Sequence, residues 1–224
     1  MRLFLSFIAL FGMALNISAL DIPEIFGNDM ILQRNTQCKI WGWAEANHYV
    51  RIVTGWDNHC YQVKAGSDGA WKVEVKTPEA SYNTYDITFT EYKSDPEKKA
   101  KGNQPIATSV SKDVLIGEVW FCSGQSNMEM PLGGFWNCPV EGANETILES
   151  KKYNRSIRVA TIAKDGKQEP QKKVAGKWEK AEPKNASRFS ACAYYFATTL
   201  TDALDVPVGV INCSWGGSCV EGWL

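Results

Sequence analysis

The hydrophobic pattern of this 224-residue chain changes near residue 113, and that change restricts the folds open to it. Before this point, apolar and polar residues alternate in short stretches that are separated by turn sequences such as GSDG at 66–69. The alternating stretches are 38–41, 50–53, 60–64, 71–75 and 85–89. Short strands at this spacing are typical of an antiparallel sandwich. We therefore predict a β-sandwich module over residues 21–112. The charged stretch 93–105, broken by proline and glycine, is predicted as an exposed hairpin loop within it, or alternatively as a linker.

After residue 113 the apolar residues run together instead of alternating. Residues 113–122 and 208–213 look like strands buried on both faces, and 157–162 is a further candidate. Residues 187–204 carry apolar side chains at three- and four-residue spacing, which predicts a helix with Ser187 as its N-cap and Cys192 on its buried face. Strands that alternate with helices build a parallel α/β sheet, so we predict that residues 113–224 belong to such a domain.

The first twenty residues have the pattern of an export signal. Arg2 supplies a positive start, residues 3–15 are apolar, and Ser18-Ala19 offers a small-residue cleavage point. A membrane anchor is the competing interpretation, but the apolar run is short and no basic cluster follows it. We predict a cleaved signal peptide over 1–20, and hence a secreted or periplasmic protein, or a lysosomal or secretory-pathway protein in a eukaryote. The seven cysteines permit disulfides there, and their odd number leaves at least one unpaired.

The charge balance argues against several kinds of partner. The chain has 24 Lys and Arg against 25 Asp and Glu, so it lacks the basic surface that nucleic-acid binding requires. No other segment is long and apolar enough to span a membrane. No C-x-x-C pair is present, so we expect no zinc site.

A serine-containing turn follows the first of the two longest apolar runs. The stretch at 119–132 reads VWFCSGQSNMEMPL, and it places Ser126 four residues after the predicted strand. Sites in parallel α/β sheets form at the carboxyl ends of strands, and a serine in a sharp turn there is a candidate nucleophile. Gly124 matches the front of the G-x-S-x-G turn, but Met128 replaces its second glycine. A serine that caps the following helix is the alternative.

Several stretches resemble the sialate O-acetylesterase family, carbohydrate esterases of the SGNH-hydrolase type. They are VWFCSGQSNMEMPL, FGNDMILQRNTQCKIWGWA, GFWNCPVEGANETI, RFSACAYYFATTL and VPVGVINCSWGGSCVEGWL. The resemblance implies a β-sandwich followed by a parallel, flavodoxin-like α/β hydrolase domain. It also implies that Ser126 attacks an acetyl ester and passes the acetyl group to water, without metal or cofactor. The substrate would be an O-acetylated sialic acid or another acetylated sugar.

The same resemblance gives roles to a few neighbours of Ser126. Gly216-Gly217 follows a predicted buried strand, so backbone N–H groups there would join that of Ser126 in an oxyanion hole, although glycines at this position are equally typical of an ordinary turn. Gln125 and Asn127 are expected to brace the serine turn, and Glu221 to support the site.

The chain lacks the other catalytic groups of that family. The family uses a histidine and an aspartate in a D-x-x-H-like block and an asparagine in a Q-G-E-x-N block, and neither block occurs here. His48 and His59 lie beside turns in the sandwich region, where we expect exposed loop histidines. We therefore expect the 224 residues to be the front part of a longer esterase, cut short by a gene-model error, frameshift or fragment definition. Such a chain would be inactive alone, with an open apolar sheet edge. A second polypeptide or a C-terminal segment would supply the asparagine, aspartate and histidine.

Two other functions fit the same residues. An acetylxylan esterase would use the same chemistry on a plant polysaccharide, and nothing in the sequence separates it from a sialate esterase. A non-catalytic glycan-binding sandwich with a relic esterase domain is a different class. Its sugar platforms would come from tryptophans of the sandwich, although alternation favours the core for the first and last of them. They are Trp41, Trp43, Trp56 and Trp71.

Overall fold

The computed structural model describes residues 20–98, 103–169 and 171–223. The predicted signal peptide at 1–20 lies outside these ranges except for Leu20. No helix within the described ranges is long and apolar enough to cross a membrane. The described part is a mixed α/β fold, and this confirms the predicted fold class.

All five alternating stretches form strands, together with a short strand before them. The strands are β1 (Ile31–Gln33), β2 (Gln37–Trp43), β3 (Tyr49–Thr54), β4 (Cys60–Lys64), β5 (Ala70–Lys76) and β6 (Ser81–Tyr92). β2 and β5 form a two-stranded antiparallel sheet, while β4, β3 and β6 are antiparallel neighbours in a second, larger sheet. The alternating apolar residues, such as Ile40, Ile52 and Phe89, are fully buried between these strands.

One tryptophan in this region departs from the prediction. Trp71 is 3% exposed and belongs to the core, as expected. Trp41, which we also expected in the core, is 39% exposed and packs edge-to-face on Phe26 at 4.5 Å. The cause is the phase of the alternation, because Ile40 faces inward and its neighbour Trp41 must therefore face outward.

A single long strand belongs to both halves of the chain. β7 (Pro105–Gly124) pairs antiparallel with β6 over its first part. It then pairs in parallel with β10 (Val208–Ser214) over 118–124. The predicted boundary between residues 112 and 113 therefore falls inside one strand. Because Tyr92 pairs with Pro105, β6 and β7 are antiparallel neighbours at the two ends of the predicted hairpin loop, of which residues 99–102 lie outside the described ranges.

The second half of the chain forms a small parallel sheet with helices against it. β10 lies between β7 and β8 (Ile157–Thr161) and is parallel to both, and β9 (Trp178–Lys180) adds an antiparallel edge. The helices are α1 (Ser126–Glu129), α2 (Ala143–Glu149), α3 (Pro183–Ala186) and α4 (Ala191–Leu204). Buried residues of α4, β8 and β10 make a second hydrophobic core.

The predicted helix at 187–204 is present, but its start and its buried face differ from the prediction. The cap is Ser190, whose side chain accepts the N–H of Ala193, whereas Ser187 ends the preceding short helix α3. Cys192 is exposed, because the buried face of the helix is made by Ala191, Ala193, Tyr194, Ala197 and Thr201. All seven cysteines lie in the described ranges and are free thiols there.

The prediction that 113–122 is buried on both faces is wrong for its second half. Val114, Leu115 and Ile116 are fully buried, but Trp120 and Phe121 are 44% and 64% exposed. Among the described residues, the part of β7 after residue 117 is the edge strand of the parallel sheet, because it pairs only with β10. One long helix, α4, packs on that sheet.

A cluster of charged side chains joins the two halves of the chain. Arg158 of β8 is 2% exposed, and its guanidinium lies 2.9 Å from Asp113 Oδ1 and 3.6 Å from Asp29 Oδ1. Lys180 of β9 pairs with the same two aspartates. Burial raises the pKa of Asp113, but its hydrogen bonds with Lys180 and Arg158 outweigh that effect, so the net pKa is below its ordinary value.

Candidate active site

Ser126 begins a short helix directly after β7 ends. Gly124 has a φ of +147°, which side-chain-bearing residues rarely adopt, and this glycine therefore permits the sharp turn. Ser126 is the first residue of α1 and is exposed. Its hydroxyl donates to Gln125 Oε1 at 2.9 Å. The N-cap position is held by Gln125, without a side-chain cap, so Ser126 does not play the capping role that was its alternative interpretation.

The second glycine pair lies beside the serine turn, at the end of the neighbouring strand. Ser214 is in register with Gly124, and the N–H of Trp215 donates to the carbonyl of Gly124 at 2.9 Å. The chain then turns over 215–218, with the N–H of Ser218 donating to Trp215 O at 3.2 Å. Gly217 has a φ of +77°, as the third residue of a type II turn requires. Two adjacent parallel strands thus deliver their loops to one sheet edge.

The two turns are in contact. A Cβ on Gly216 would lie 3.5 Å from both Cα and Cβ of Ser126, which is an ordinary contact distance, and 2.8 Å from Oε2 of Glu129, so glycine at this position leaves room for the Glu129 carboxylate. The side chain of Gln125 bridges the turns as well, because its Nε2 donates to Ser218 O at 3.0 Å while its Oε1 accepts from Ser126. The structure therefore brings Ser126, Gln125 and Gly216 together.

Glu129 is a central residue of the site that the sequence reasoning missed. Its carboxylate accepts the N–H of Gly216 and forms an ion pair with Lys164. The hydrogen bond from Lys164, followed by that from Gly216, lowers the pKa of Glu129 below its ordinary value. The sequence did contain one signal for Glu129, its spacing from Ser126, because a residue three positions further along a helix lies on the same side of it.

The Glu129 contact changes the expected oxyanion hole. Because the N–H of Gly216 donates to a carboxylate, this group is not directed at a reacting carbonyl in the present arrangement. The N–H groups of Ser126, at the start of α1, and of Gly217 remain as candidate donors. Groups at a helix start have no acceptor within the helix, which suits them to a developing negative charge.

The remaining predicted residues lie at the margin of this site. Asn127 is exposed, and its backbone carbonyl accepts from Cys192 Sγ at 3.4 Å. Glu221 is exposed in a 3₁₀ turn over Val220–Trp223. Within the described part of the chain, neither side chain hydrogen-bonds to Ser126. The roles expected for both therefore stay predictions.

Both histidines of the chain lie in the sandwich. His59 is exposed in the turn before β4 and stacks edge-to-face on Tyr61, as expected for a loop histidine. His48 is not a free loop residue, because its Nδ1 lies 2.6 Å from Oε1 of the buried Glu91. Neither histidine hydrogen-bonds to Ser126 among the described residues, so these residues present no imidazole base to the serine.

A cavity of about 910 Å³ opens beside the glycine turn. We call it the Trp215 cavity, after the tryptophan that lines it with 41% of its surface exposed. Its walls are residues 162–169, 171, 173–175, 213–219 and 222. Ser126 itself is not a wall residue, but it contacts Gly216, which is. The cavity therefore adjoins the serine turn through Gly216.

Comparison with known proteins gives a consistent result. No protein-family model matches the chain. Over 206 residues, it is 28% identical to human sialate O-acetylesterase, with 88% of this chain and 37% of that protein covered. The mouse protein of the same name is 27% identical over 206 residues, with 88% and 36% covered. The crystal structure of a carbohydrate acetylesterase from Xanthomonas citri superposes with a TM-score of 0.77 at 28% identity, covering 92% of this chain and 42% of that one. The chain thus spans well under half the length of these relatives.

Proposed function

We propose that this chain, similar to sialate O-acetylesterases and to a carbohydrate acetylesterase, carries the nucleophile of a serine esterase that deacetylates O-acetylated carbohydrates. The observation that carries the proposal is the contact between the Ser126 turn and the Gly216–Gly217 turn at the carboxyl ends of β7 and β10. An exposed hydroxyl beside backbone N–H groups is the minimum that acyl transfer needs from its scaffold.

The proposed reaction follows from that arrangement. The Ser126 oxygen attacks the carbonyl carbon of the acetyl ester while a base accepts the serine proton. The N–H groups of Ser126 and Gly217 stabilise the oxyanion, and one such donor is typically worth about 10²–10³ in rate. The C–O bond to the sugar then breaks, the sugar oxygen takes up the proton, and acetyl-Ser126 remains. Water attacks this ester in the same manner, which releases acetate and regenerates the serine.

The base is the group that the described residues do not provide near Ser126. Both histidines lie in the sandwich, and one of them already pairs with Glu91. We therefore propose that histidine, aspartate and asparagine come from residues other than these 224, on a further segment or on a second polypeptide. Removing triad members costs several powers of ten in rate, so the 224 residues alone should have almost no serine-dependent activity.

The first test uses the chain alone. We expect the 224-residue protein to hydrolyse p-nitrophenyl acetate no faster than its Ser126→Ala variant, because no base accepts the Ser126 proton. A clear excess of the unmodified protein over Ser126→Ala would refute the need for an external base.

The second test supplies the missing groups. The part of the Xanthomonas citri acetylesterase that this chain does not match is fused after residue 224, and acetate release from acetylated sugars is measured. We expect the fusion protein to be active and its Ser126→Ala variant to lose at least about 10³-fold in kcat/KM. Ser123→Ala, a change of the same kind at an exposed serine of β7, is the matched control. Equal losses in the two variants would contradict the role of Ser126.

We also propose that residues 1–20 direct export and are removed, on the sequence pattern given above. Expression in a secreting host followed by intact-mass measurement tests this. A secreted product that begins near Asp21 is expected, and a retained product with its full N-terminus would contradict it.

A further inference from the structure

We infer that the Trp215 cavity binds the ring of a neutral acetylated sugar against Trp215 and discriminates against sugars that carry a carboxylate. The choice of carbohydrate as ligand class rests on the proposed function. The cavity itself has a volume of about 910 Å³, which is within the range of small-molecule sites and large enough for more than one sugar ring.

Trp215 is held where a sugar ring would adjoin the serine. Its backbone N–H is fixed to the carbonyl of Gly124, at the end of the strand that leads to Ser126. The next residue, Gly216, lies beside Ser126, since a Cβ on it would be 3.5 Å from Cα of Ser126. Gly166, another wall residue, lies against the indole of Trp215, since a Cβ on Gly166 would be 3.7 Å from Cη2 of that indole. A fixed, half-exposed indole offers a flat apolar surface, which matches the C–H face of a pyranose ring.

The charges around this cavity are balanced by neighbours. Three lysines line it, and each forms an ion pair with a carboxylate. These pairs are Lys164–Glu129, Lys167–Asp165 (Nζ to Oδ1, 3.0 Å) and Lys173–Asp21. Glu169 adds a further carboxylate to the wall. Among the described lining residues, every ammonium group therefore already has an anionic partner.

This balance decides between the two sugar classes. The wall itself carries three lysines and two carboxylates, and the paired Glu129 and Asp21 behind it bring the carboxylates to four. The carboxylate of a sialic acid would therefore have to displace one of these carboxylates from a lysine. An anion that enters a site without a free cation loses hydration and gains no partner, which penalises it relative to a neutral molecule. A neutral sugar avoids this penalty and can use the amide side chains of Gln168 and Gln171 on the same wall.

Titrations that follow the indole N–H resonance of Trp215 by ¹⁵N NMR test the inference. All of them use the Ser126→Ala background, so that no probe is hydrolysed. The probes are a mono-O-acetylated methyl xyloside, a 9-O-acetylated methyl sialoside, and the methyl ester of that sialoside, which differs from it only in charge. We expect the xyloside and the methyl ester to shift the resonance, and the free acid to bind at least about tenfold more weakly than its ester. Equal Kd values for acid and ester would overturn the inference.

Substitution of the tryptophan tests the stacking surface. Trp215→Ala should weaken xyloside binding by about tenfold, while Trp215→Phe should retain most of it, because phenylalanine keeps an aromatic face. Trp136→Ala removes a tryptophan that is 95% exposed and does not line the cavity, and it should leave the Kd unchanged. For the variants without the indole, binding is followed through the assigned backbone amide of Gly217. Equal Kd values for the alanine and phenylalanine variants would count against stacking on Trp215.

A charge substitution should reverse the selectivity. Asp165→Asn removes the partner of Lys167, so the free acid should bind at least about twofold more tightly while the xyloside Kd stays constant. Glu145→Gln makes the same change on α2, away from the cavity, and should alter neither Kd. No gain for the acid in Asp165→Asn would overturn the electrostatic part of the inference. These titrations do not depend on turnover, whereas an inactive fusion protein would refute the proposed function alone.

Discussion

Replacement of Glu129 by glutamine should loosen the contact between the serine turn and the glycine turn. Glutamine keeps the size of the side chain and an oxygen for the N–H of Gly216, but it removes the charge that also holds Lys164. A hydrogen bond to a charged group contributes about 1.5–3 kcal/mol and a neutral one about 0.5–1.5 kcal/mol, so this loss is about 1 kcal/mol. The partly exposed pair with Lys164 adds up to about 1 kcal/mol. We expect Glu129→Gln to lower the free energy of unfolding by about 1–2 kcal/mol.

The same substitution should change the pH dependence of stability. The pKa of Glu129 is lowered in the folded protein, so folding is favoured by its ionised form. This contribution is complete above the unfolded-state pKa, near pH 4.5, and is lost as the pH falls through the lower folded-state pKa. The difference between the unmodified protein and Glu129→Gln should therefore be largest near pH 7 and shrink in acid.

Urea unfolding followed by tryptophan fluorescence measures these free energies, and ¹⁵N NMR measures the amide of Gly216 directly. Glu221→Gln, the same change at an exposed glutamate, should stay within about 0.5 kcal/mol of the unmodified protein. The reasoning would be refuted if both variants lost the same stability, or if the Gly216 amide resonance did not move in Glu129→Gln.

Three further substitutions test the fold around the site by urea unfolding. Arg158→Met breaks a buried ion-pair cluster and should lower the free energy of unfolding by about 3 kcal/mol. Arg188→Met, at an exposed ion pair, should lower it by less than about 1 kcal/mol. Similar losses in the two variants would contradict the structural role of the cluster. Gly216→Ala brings a Cβ within 2.8 Å of Glu129 Oε2 and should cost at least about 1 kcal/mol by displacing that carboxylate, while Gly222→Ala, in open space, should not; equal effects would deny the close approach of Gly216 to Glu129. Ser190→Ala removes a helix cap and should cost about 1 kcal/mol, and an unchanged stability would exclude the cap.

Local patterns in the sequence predicted most of the elements. Period-two alternation located β2 to β6, and the apolar run at 208–213 located β10, because burial on one or both faces leaves a direct trace in the sequence. The meeting of Ser126 with Gly216 also followed from the sequence, since the ends of adjacent parallel strands share a sheet edge.

The errors arose where burial depends on distant partners. Phe121 is exposed because the described residues place no further strand or helix over that part of β7, which no local pattern can reveal. Cys192 is exposed because the buried face of the helix runs through Ala193, Tyr194 and Ala197 instead. Glu129 was missed because its partners, Lys164 and Gly216, are 35 and 87 residues away along the chain.

The most direct test of the account is to locate the acetyl group during turnover. The fusion protein described above is mixed with an acetylated sugar, quenched in acid within milliseconds and digested, and the peptides are analysed by mass spectrometry. We predict acetylation on the peptide that contains Ser126, at the hydroxyl of that residue, and none in the Ser126→Ala variant. Acetate release with no acetyl group on Ser126, or an acetyl group trapped on another residue, would contradict the proposed nucleophile.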